Sequence, residues 1–177
     1  MYWLTGYDTF GYVFFQTLAL DQKGNVVLLT RAPDLRQAQN TSNIEDIRIW
    51  VDKDGSNPTD DLKQILDELN LKNKNIGIEY EAYGMTGRNA LRLNKSLENY
   101  CKVEDQSELI TRLRVIKSNE ELVYVRRAAE LADRALDEAW KYTKAGASES
   151  KILAEMQRAV LEGGGDYPAN DYIIGSG

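Results

Sequence analysis

The sequence predicts a mixed α/β fold followed by a largely helical segment, and three patterns support this prediction. Residues 1–30 are rich in β-forming residues and contain a turn cluster, Asp21–Asn25, between apolar runs, which is typical of a hairpin. From there to about residue 105, short apolar runs alternate with stretches of helical period, as in a mixed sheet. After residue 105 the helical period dominates. We therefore place a boundary near residues 105–117.

The first thirty residues are predicted to form strands. Met1–Tyr7 is a short apolar run that ends at a glycine-containing turn, and Tyr12–Leu20 is long and β-rich. Val26–Thr30 is continuously apolar. The two longer runs do not alternate cleanly between polar and apolar residues, which indicates a sheet that is covered on both faces.

Helices and strands then alternate up to about residue 105. Ile47, Ile49 and Val51 recur at period two, which favours a strand with one wetter face. Asn57 followed by Pro58 is a typical helix entrance. The predicted elements are, in chain order, a helix over 34–40, a strand over 44–51, a helix from 58 with Leu62, Ile65, Leu66 and Leu69 on one face, a strand over 75–79, a helix over 87–97 and a strand over 100–103.

The segment after residue 105 reads as successive helices. A first helix covers 106–114, and Ser118 with Glu121 has the spacing of a capping box for a second that runs to about Thr143. Gly146 ends that helix and Ser148 caps a third. The apolar residues of the second helix recur at steps of three and four, as is typical of a helix. They are Leu122, Val125, Ala129, Ala132, Leu136 and Ala139. In the third helix, Ile152, Leu153, Met156 and Val160 are predicted to form the buried stripe.

Three consecutive glycines, Gly163–Gly165, end the third helix. Phosphate-binding glycine loops follow a strand and open a helix, whereas these follow a helix and precede an apolar run, Tyr172–Ile174. A helix stop that allows a close backbone approach is the favoured interpretation. The run over 172–174 is predicted to be a strand.

Composition excludes several kinds of chemistry. The chain has 177 residues and no histidine, which excludes a Ser-His-Asp or Cys-His site and any zinc site that needs imidazole. Cys101 is the single cysteine, so an internal disulfide is excluded and a cytoplasmic location is expected. The net charge of −6, with scattered Lys and Arg, argues against a nucleic-acid partner, and no apolar run is long enough to span a membrane.

Two loops hold the candidate binding residues. One lies between the first two predicted strands and the other follows the glycines, and loop residues carry function more often than core residues do. The simpler interpretation is that the aromatic residues are core and that the second loop is only a connection. The candidates for pocket lining are Tyr7, Asp8, Phe10, Asp166, Tyr167 and Asn170.

Four stretches together resemble a known family. They are MYWLTGYDTFGYVFFQTLALDQKGNVVLLT, NIGIEYE, LRVIKSNEELVYVRRAAELADRALDEA and GGGDYPANDYIIGSG, and they occur in this order at suitable spacing. The chain resembles the pita-bread metallohydrolases, which include creatinase, Xaa-Pro aminopeptidase and prolidase. The most specific part is the Arg-x-Ile-Lys-Ser-x-x-Glu link and the helix after it, Arg114–Ala135.

The resemblance implies a domain organisation. Residues 1–105 would form a mixed-sheet, ribonuclease-H-like α/β domain of the creatinase/prolidase amino-terminal type. Residues 106–117 would form a linker helix. Residues 118–177 would supply the first helices and strand of an α+β pita-bread catalytic domain that is truncated here.

The resemblance also implies a function for the parent protein. Family members use two Asp, one His and two Glu to hold two divalent metal ions, here Mn, Co or Zn, and those positions follow the segment that resembles Gly175–Gly177. We therefore expect that the chain is a fragment at both ends and that it holds no catalytic residue and no metal ligand. The fragment itself would be inactive, and the protein would be a homodimer. The expected substrate of the parent is a peptide or a small amide.

Two alternatives remain open from the sequence. The absence of a basic residue in Tyr12–Leu20 argues against creatine as the substrate, since creatinases carry one there for the carboxylate, but Xaa-Pro peptides and ectoine-like amides both remain. The second alternative is a non-catalytic module of the same fold that works by dimerisation or binding.

Overall fold

The computed structural model describes residues 1–9, 13–168 and 170–175, and the chain divides into two compact units. The first unit is Met1–Leu113 and the second is Arg114–Gly177. All the described strands lie in the first unit, and the described part of the second consists mainly of two helices.

The order of the elements confirms the predicted α/β class. In chain order they are α1 (Tyr2–Thr5), β1 (Thr17–Leu20), β2 (Val26–Arg31), a 3-10 turn (Ala32–Asp34), α2 (Leu35–Thr41), β3 (Asp46–Trp50), α3 (Pro58–Glu68), β4 (Asn75–Ile78), α4 (Gly87–Leu97), β5 (Lys102–Asp105), α5 (Leu109–Val115), α6 (Asn119–Tyr142) and α7 (Glu149–Glu162).

The described strands form a three-stranded and a two-stranded sheet. The predicted hairpin is confirmed, because β1 runs antiparallel to β2 with Thr17 opposite Leu29. On its other side β2 pairs with β3 in parallel, and Leu28 lies beside Ile47. The strands β4 and β5 pair in parallel as the second sheet. The strand β2 is therefore the middle strand of the larger sheet.

Successive residues of β2 enter two different apolar clusters. Val27 and Leu29 belong to the larger cluster, whereas Leu28 belongs to a smaller one with Tyr7 and Ala38. This confirms the expectation of a sheet covered on both faces. The buried members of the larger cluster are Phe15, Ala19, Val27, Leu29, Trp50, Leu62, Ile65, Leu66, Ile78, Leu93, Leu97 and Tyr100.

The prediction of a strand over Met1–Tyr7 is wrong, because Tyr2–Thr5 forms one helical turn. The Thr5 hydroxyl donates to the Met1 carbonyl at 3.0 Å, and the Gly6 amide donates to the Tyr2 carbonyl at 2.7 Å. Gly6 closes the turn at φ 77°, a conformation that favours glycine. A Cβ there would also lie 2.9 Å from the Thr41 carbonyl oxygen.

The predicted strand over Tyr12–Leu20 is shorter in the structure, where β1 begins at Thr17. Residues 13–16 leave the ladder and make side-chain contacts instead. The Trp50 indole donates to the Phe15 carbonyl at 3.0 Å, and the Arg31 guanidinium lies 3.1 Å from the centroid of the Phe14 ring.

The helices were predicted within a few residues, and their caps differ in detail. The capping box is confirmed, since the Glu121 amide donates to the Ser118 hydroxyl at 3.2 Å and the Ser118 amide donates to the Glu121 carboxylate at 2.8 Å. Asn57 instead accepts a hydrogen bond from the Thr59 hydroxyl. The Ser148 hydroxyl pairs with that of Ser150 and caps no backbone amide.

The predicted stripe of α7 is buried or partly buried, with Ile152 buried and Leu153, Met156 and Val160 partly buried. The helix α6 buries only part of its apolar surface. The residues of α6 that are buried are Leu131 and Ala135, on the face that packs against α7, whereas Leu136 and Trp140 are exposed at 54% and 73%. Because α6 carries apolar residues on two faces, its period alone does not say which face a neighbour covers.

The end of α7 confirms the predicted helix stop and corrects the strand after it. A Cβ added to Gly163 would overlap the Leu131 side chain, and one added to Gly165 would lie 2.9 Å from it. Residues 172–174 form no strand, and Ile173 is fully exposed.

We predict that Gly163→Ala destabilises the second unit by about 1–3 kcal/mol, since the new methyl overpacks the contact with Leu131 and with the Ala159 carbonyl. Urea unfolding followed by circular dichroism measures this. Gly87→Ala is the matched control, because a Cβ there meets no atom and Ala is the better helix former. Equal effects of the two substitutions would contradict the proposed close approach.

Candidate functional site

The first candidate loop begins inside the core. Tyr7 is fully buried in the smaller cluster with Leu28, Ala38 and Ile44. Asp8 is exposed, and its backbone amide donates to the Thr41 hydroxyl at 3.2 Å. Phe10 lies outside the described residues. The structure therefore anchors the start of the loop, while the pocket-lining role of these three residues stays a prediction.

Two side chains at the carboxyl ends of the parallel strands β2 and β3 hold residues 13–16, the segment between the first candidate loop and β1. Arg31 ends β2, stacks on Phe14 and donates through Nε to the Asp34 carboxylate at 3.2 Å. Trp50 ends β3 and binds the Phe15 carbonyl. Ligands of α/β proteins commonly bind beyond the carboxyl ends of strands, so these contacts define one candidate region of the first unit.

The second candidate loop borders a small crevice in the second unit. Asp166 and Tyr167 line a cavity of about 10 Å³, roughly the space of one water molecule. Its other walls come from Gln157, Val160, Leu161, Pro168 and Tyr172. Asn170 is exposed and does not line it.

A charged cluster on α6 and α7 is the most polar feature of the second unit. Glu155 is buried on α7, and its carboxylate accepts hydrogen bonds from Lys151 and from Arg158, the latter at 2.7 Å. These two cationic partners hold the pKa of the Glu155 carboxyl below its usual 4.5. Arg158 also donates to Glu162 at 2.7 Å and lies 3.8 Å from Glu138. The carboxylates of the cluster are thus engaged by cations of the chain itself.

The described residues do not fit a divalent metal ion. In residues 1–9, 13–168 and 170–175, no three His, Cys, Asp or Glu side chains come together so that they could hold one. Asp166 accepts the Tyr167 amide, and Glu155 is occupied by Lys151 and Arg158. No helix in that same part of the chain is long and apolar enough to cross a membrane.

Sequence reasoning missed the charged cluster and the anchors of the first loop. The spacing of Lys151, Glu155 and Arg158 on one helix was visible, but it is also the spacing of an ordinary solvated helix face. Only the packing of α6 on α7 shows that Glu155 is buried. The contacts of Arg31 and Trp50 join residues 17 and 35 positions apart, and no local pattern marks them.

The fold defines a class of protein. An α/β unit with a mixed sheet comes first in the chain, a short linker follows, and two packed helices come after it. Two sequence models of known domains match the chain in the same order. The model of the creatinase/prolidase N-terminal domain matches residues 1–116, and that of metallopeptidase family M24 matches residues 123–177. The chain belongs to the creatinase/prolidase family, the pita-bread hydrolases whose motifs its sequence carries.

Named relatives are similar along much of the chain. An ectoine hydrolase of Halomonas elongata is 28% identical and is matched over 96% of this chain and 46% of its own length. An Xaa-Pro dipeptidase of Pyrococcus horikoshii is 31% identical over 59% of this chain and 28% of its own length. The chain thus spans less than half the length of these curated relatives.

Solved structures share the fold. A dipeptidase from Pyrococcus horikoshii superimposes with a TM-score of 0.68 at 25% identity, over 91% of this chain and 42% of that one. An X-Pro aminopeptidase from Thermotoga maritima gives a TM-score of 0.70 at 19% identity, over 92% and 42% of the two chains. The second likeness supports the fold alone.

We predict that Glu155 makes the stability of the second unit depend on pH. Because its pKa is lowered in the folded state, its contribution is complete above the usual 4.5 and is lost as pH falls through the folded value. Glu155→Gln should therefore unfold at lower urea than the wild type at about pH 7, and the two midpoints should converge as the pH falls below the lowered pKa of the folded state.

The control for this pH series is Glu98→Gln, an exposed glutamate of the first unit. It should shift the urea midpoint little at any pH, as is usual for surface positions. A constant difference between wild type and Glu155→Gln across the series would contradict a charge-based role of Glu155.

Proposed function

We propose that this chain serves as the amino-terminal part of a metal-dependent hydrolase that cleaves a peptide or small amide C–N bond. The observation that carries the proposal is the paired match, creatinase/prolidase N-terminal domain and then metallopeptidase family M24, in one chain. The relatives named as an Xaa-Pro dipeptidase and an ectoine hydrolase support hydrolysis as the reaction class.

The proposed parent enzyme uses two divalent metal ions, Mn, Co or Zn, which would activate water for attack on the amide. The described residues have no donor set for such ions, and the whole chain has no histidine. We therefore assign no catalytic step to this chain. Its proposed contribution is the scaffold, with Tyr7, Asp8 and Phe10 in one loop and Asp166, Tyr167 and Asn170 in the other as pocket-edge candidates.

A second candidate function is a dimerisation or binding module without catalysis. The observation that favours it is the uncovered apolar face of α6, where Val125, Leu136 and Trp140 are about half exposed or more. A helix face of this kind is unfavourable in water and promotes association. A homodimer is compatible with either candidate function.

We predict that the purified 177-residue chain hydrolyses neither an Xaa-Pro dipeptide nor ectoine when Mn²⁺, Co²⁺ or Zn²⁺ is added. Amine release is measured, with the Pyrococcus horikoshii dipeptidase assayed in parallel as the active control. Turnover by the chain alone would contradict the assignment of a purely supporting role.

The genomic sequence after the codon for Gly177 tests the parent's function directly. A downstream series of Asp, Asp, His, Glu and Glu in the same reading frame supports the hydrolase, because the resemblance places the metal ligands there. A stop codon at that point, together with a stable dimer, would favour the non-catalytic module.

We predict that the chain self-associates through the apolar face of α6. Size-exclusion chromatography with light scattering should show a dimer fraction that grows with concentration and is lost in Leu136→Lys, since a buried unpaired charge opposes association. Leu91→Lys is the control, because Leu91 is also an exposed leucine, on a helix of the first unit. A wild-type chain that stays monomeric at high concentration would contradict this prediction.

A further inference from the structure

Four buried side-chain polar atoms in the described part of the chain have no hydrogen-bond partner. They are the Tyr7 hydroxyl, both amide atoms of Gln16 and the Thr30 hydroxyl. Tyr7 and Thr30 are each 0% exposed. A buried polar group that loses its bonds to water without a replacement is destabilising, so native proteins rarely leave several together.

The register of the hairpin brings two of these residues together. The antiparallel ladder ends at the pair Thr17–Leu29, and Gln16 and Thr30 are the residues that adjoin this pair at the same end. Because side chains alternate along an extended chain and Phe15 packs in the larger cluster, Gln16 is expected on the other face. Thr30 also shares that face with Leu28, two residues earlier, because side chains alternate along a strand.

Tyr7 belongs to the same face. Its side chain packs in the smaller cluster with Leu28, on the opposite side of the sheet from Val27 and Leu29. The cluster membership of Tyr7 and the alternation of side chains thus assign the three residues that carry the unpaired atoms to one side of the sheet. Such a concentration points to a shared partner rather than to separate defects.

The chemistry of these groups specifies a small neutral partner. Each hydroxyl donates and accepts, and the Gln16 amide offers one donor group and one acceptor, so no net charge is available for an ion. Arg31, the charged residue at the end of β2, alternates to the other face and is engaged with Asp34 and Phe14. Water both donates and accepts, and buried waters make about three hydrogen bonds each to such groups.

We propose that Tyr7, Gln16 and Thr30 form an internal hydration site that holds ordered water beneath the β1–β2 hairpin. The water connects the hairpin to Tyr7, the residue at which the first candidate loop begins. Tyr7 is also a pocket-edge candidate of the proposed hydrolase, but the hydration site does not rest on that function, because holding water requires neither a substrate nor a catalytic step.

A high-resolution crystal structure of the 177-residue chain tests the site without any substitution. We expect a spherical density peak within hydrogen-bond distance of the Thr30 hydroxyl and of the Gln16 amide. An absence of density there, or elongated density that needs a larger molecule, would overturn the proposal.

Isosteric substitutions give a second test whose sign is diagnostic. If water is bound, Thr30→Val and Tyr7→Phe each remove one of the hydrogen bonds that hold it and leave the other polar groups poorly bonded. Each substitution should then lower the unfolding midpoint by roughly 2–6 °C. If the cluster is dry, each substitution removes an unpaired hydroxyl and raises the midpoint. Thr17→Val, on the neighbouring strand and partly exposed, is the matched control and should change it little.

A double-substitution cycle tests whether Gln16 and Thr30 share the water. Gln16→Met combined with Thr30→Val should shift the unfolding midpoint by clearly less than the sum of the two single shifts. The reason is that the second substitution removes a group whose hydrogen bond to the water was already lost through the first. Additive shifts would overturn a shared site.

Discussion

The first unit depends on one constraint: β2 is the middle strand of its sheet and is buried on both faces. Val27 and Leu29 pack into one cluster and Leu28 into the other, so a slip of one residue would exchange the two sets. The hairpin fixes the register from one side and the parallel strand β3 fixes it from the other. Both clusters, and the helices that complete them, follow from this register.

The sequence predicted the elements whose signals are local. Pro58 after Asn57, the leucine pattern of α3, the capping box at Ser118 and the glycine stop at Gly163 each involve residues within a few positions of one another. The failed prediction of a strand at the start of the chain came from missing context, because a four-residue apolar run such as Tyr2–Thr5 has no measurable period. The burial of one apolar face of α6 and the exposure of the other are likewise decided by the packing of α7.

The candidate site was less predictable than the fold. The absence of histidine follows from the composition, and it excludes sites in this chain that need an imidazole. The unpaired groups of Gln16 and Thr30 could not be predicted from a local pattern, because the two residues adjoin the end of the hairpin ladder and are far apart in sequence. The burial of Glu155 likewise needs the contact of α6 with α7. The pocket-lining roles of the loop residues stay predictions.

The relatives help to separate scaffold from specificity. One is named for Xaa-Pro dipeptides and another for ectoine, yet they match this chain at similar identities of 31% and 28%. The overall identity to this chain therefore does not separate relatives that are named for such different compounds. The two kinds of position in the first unit differ in what a substitution would cost. A changed side chain in β2 would disturb one of the two clusters that depend on its register, whereas the exposed Asp8 side chain lies outside both clusters.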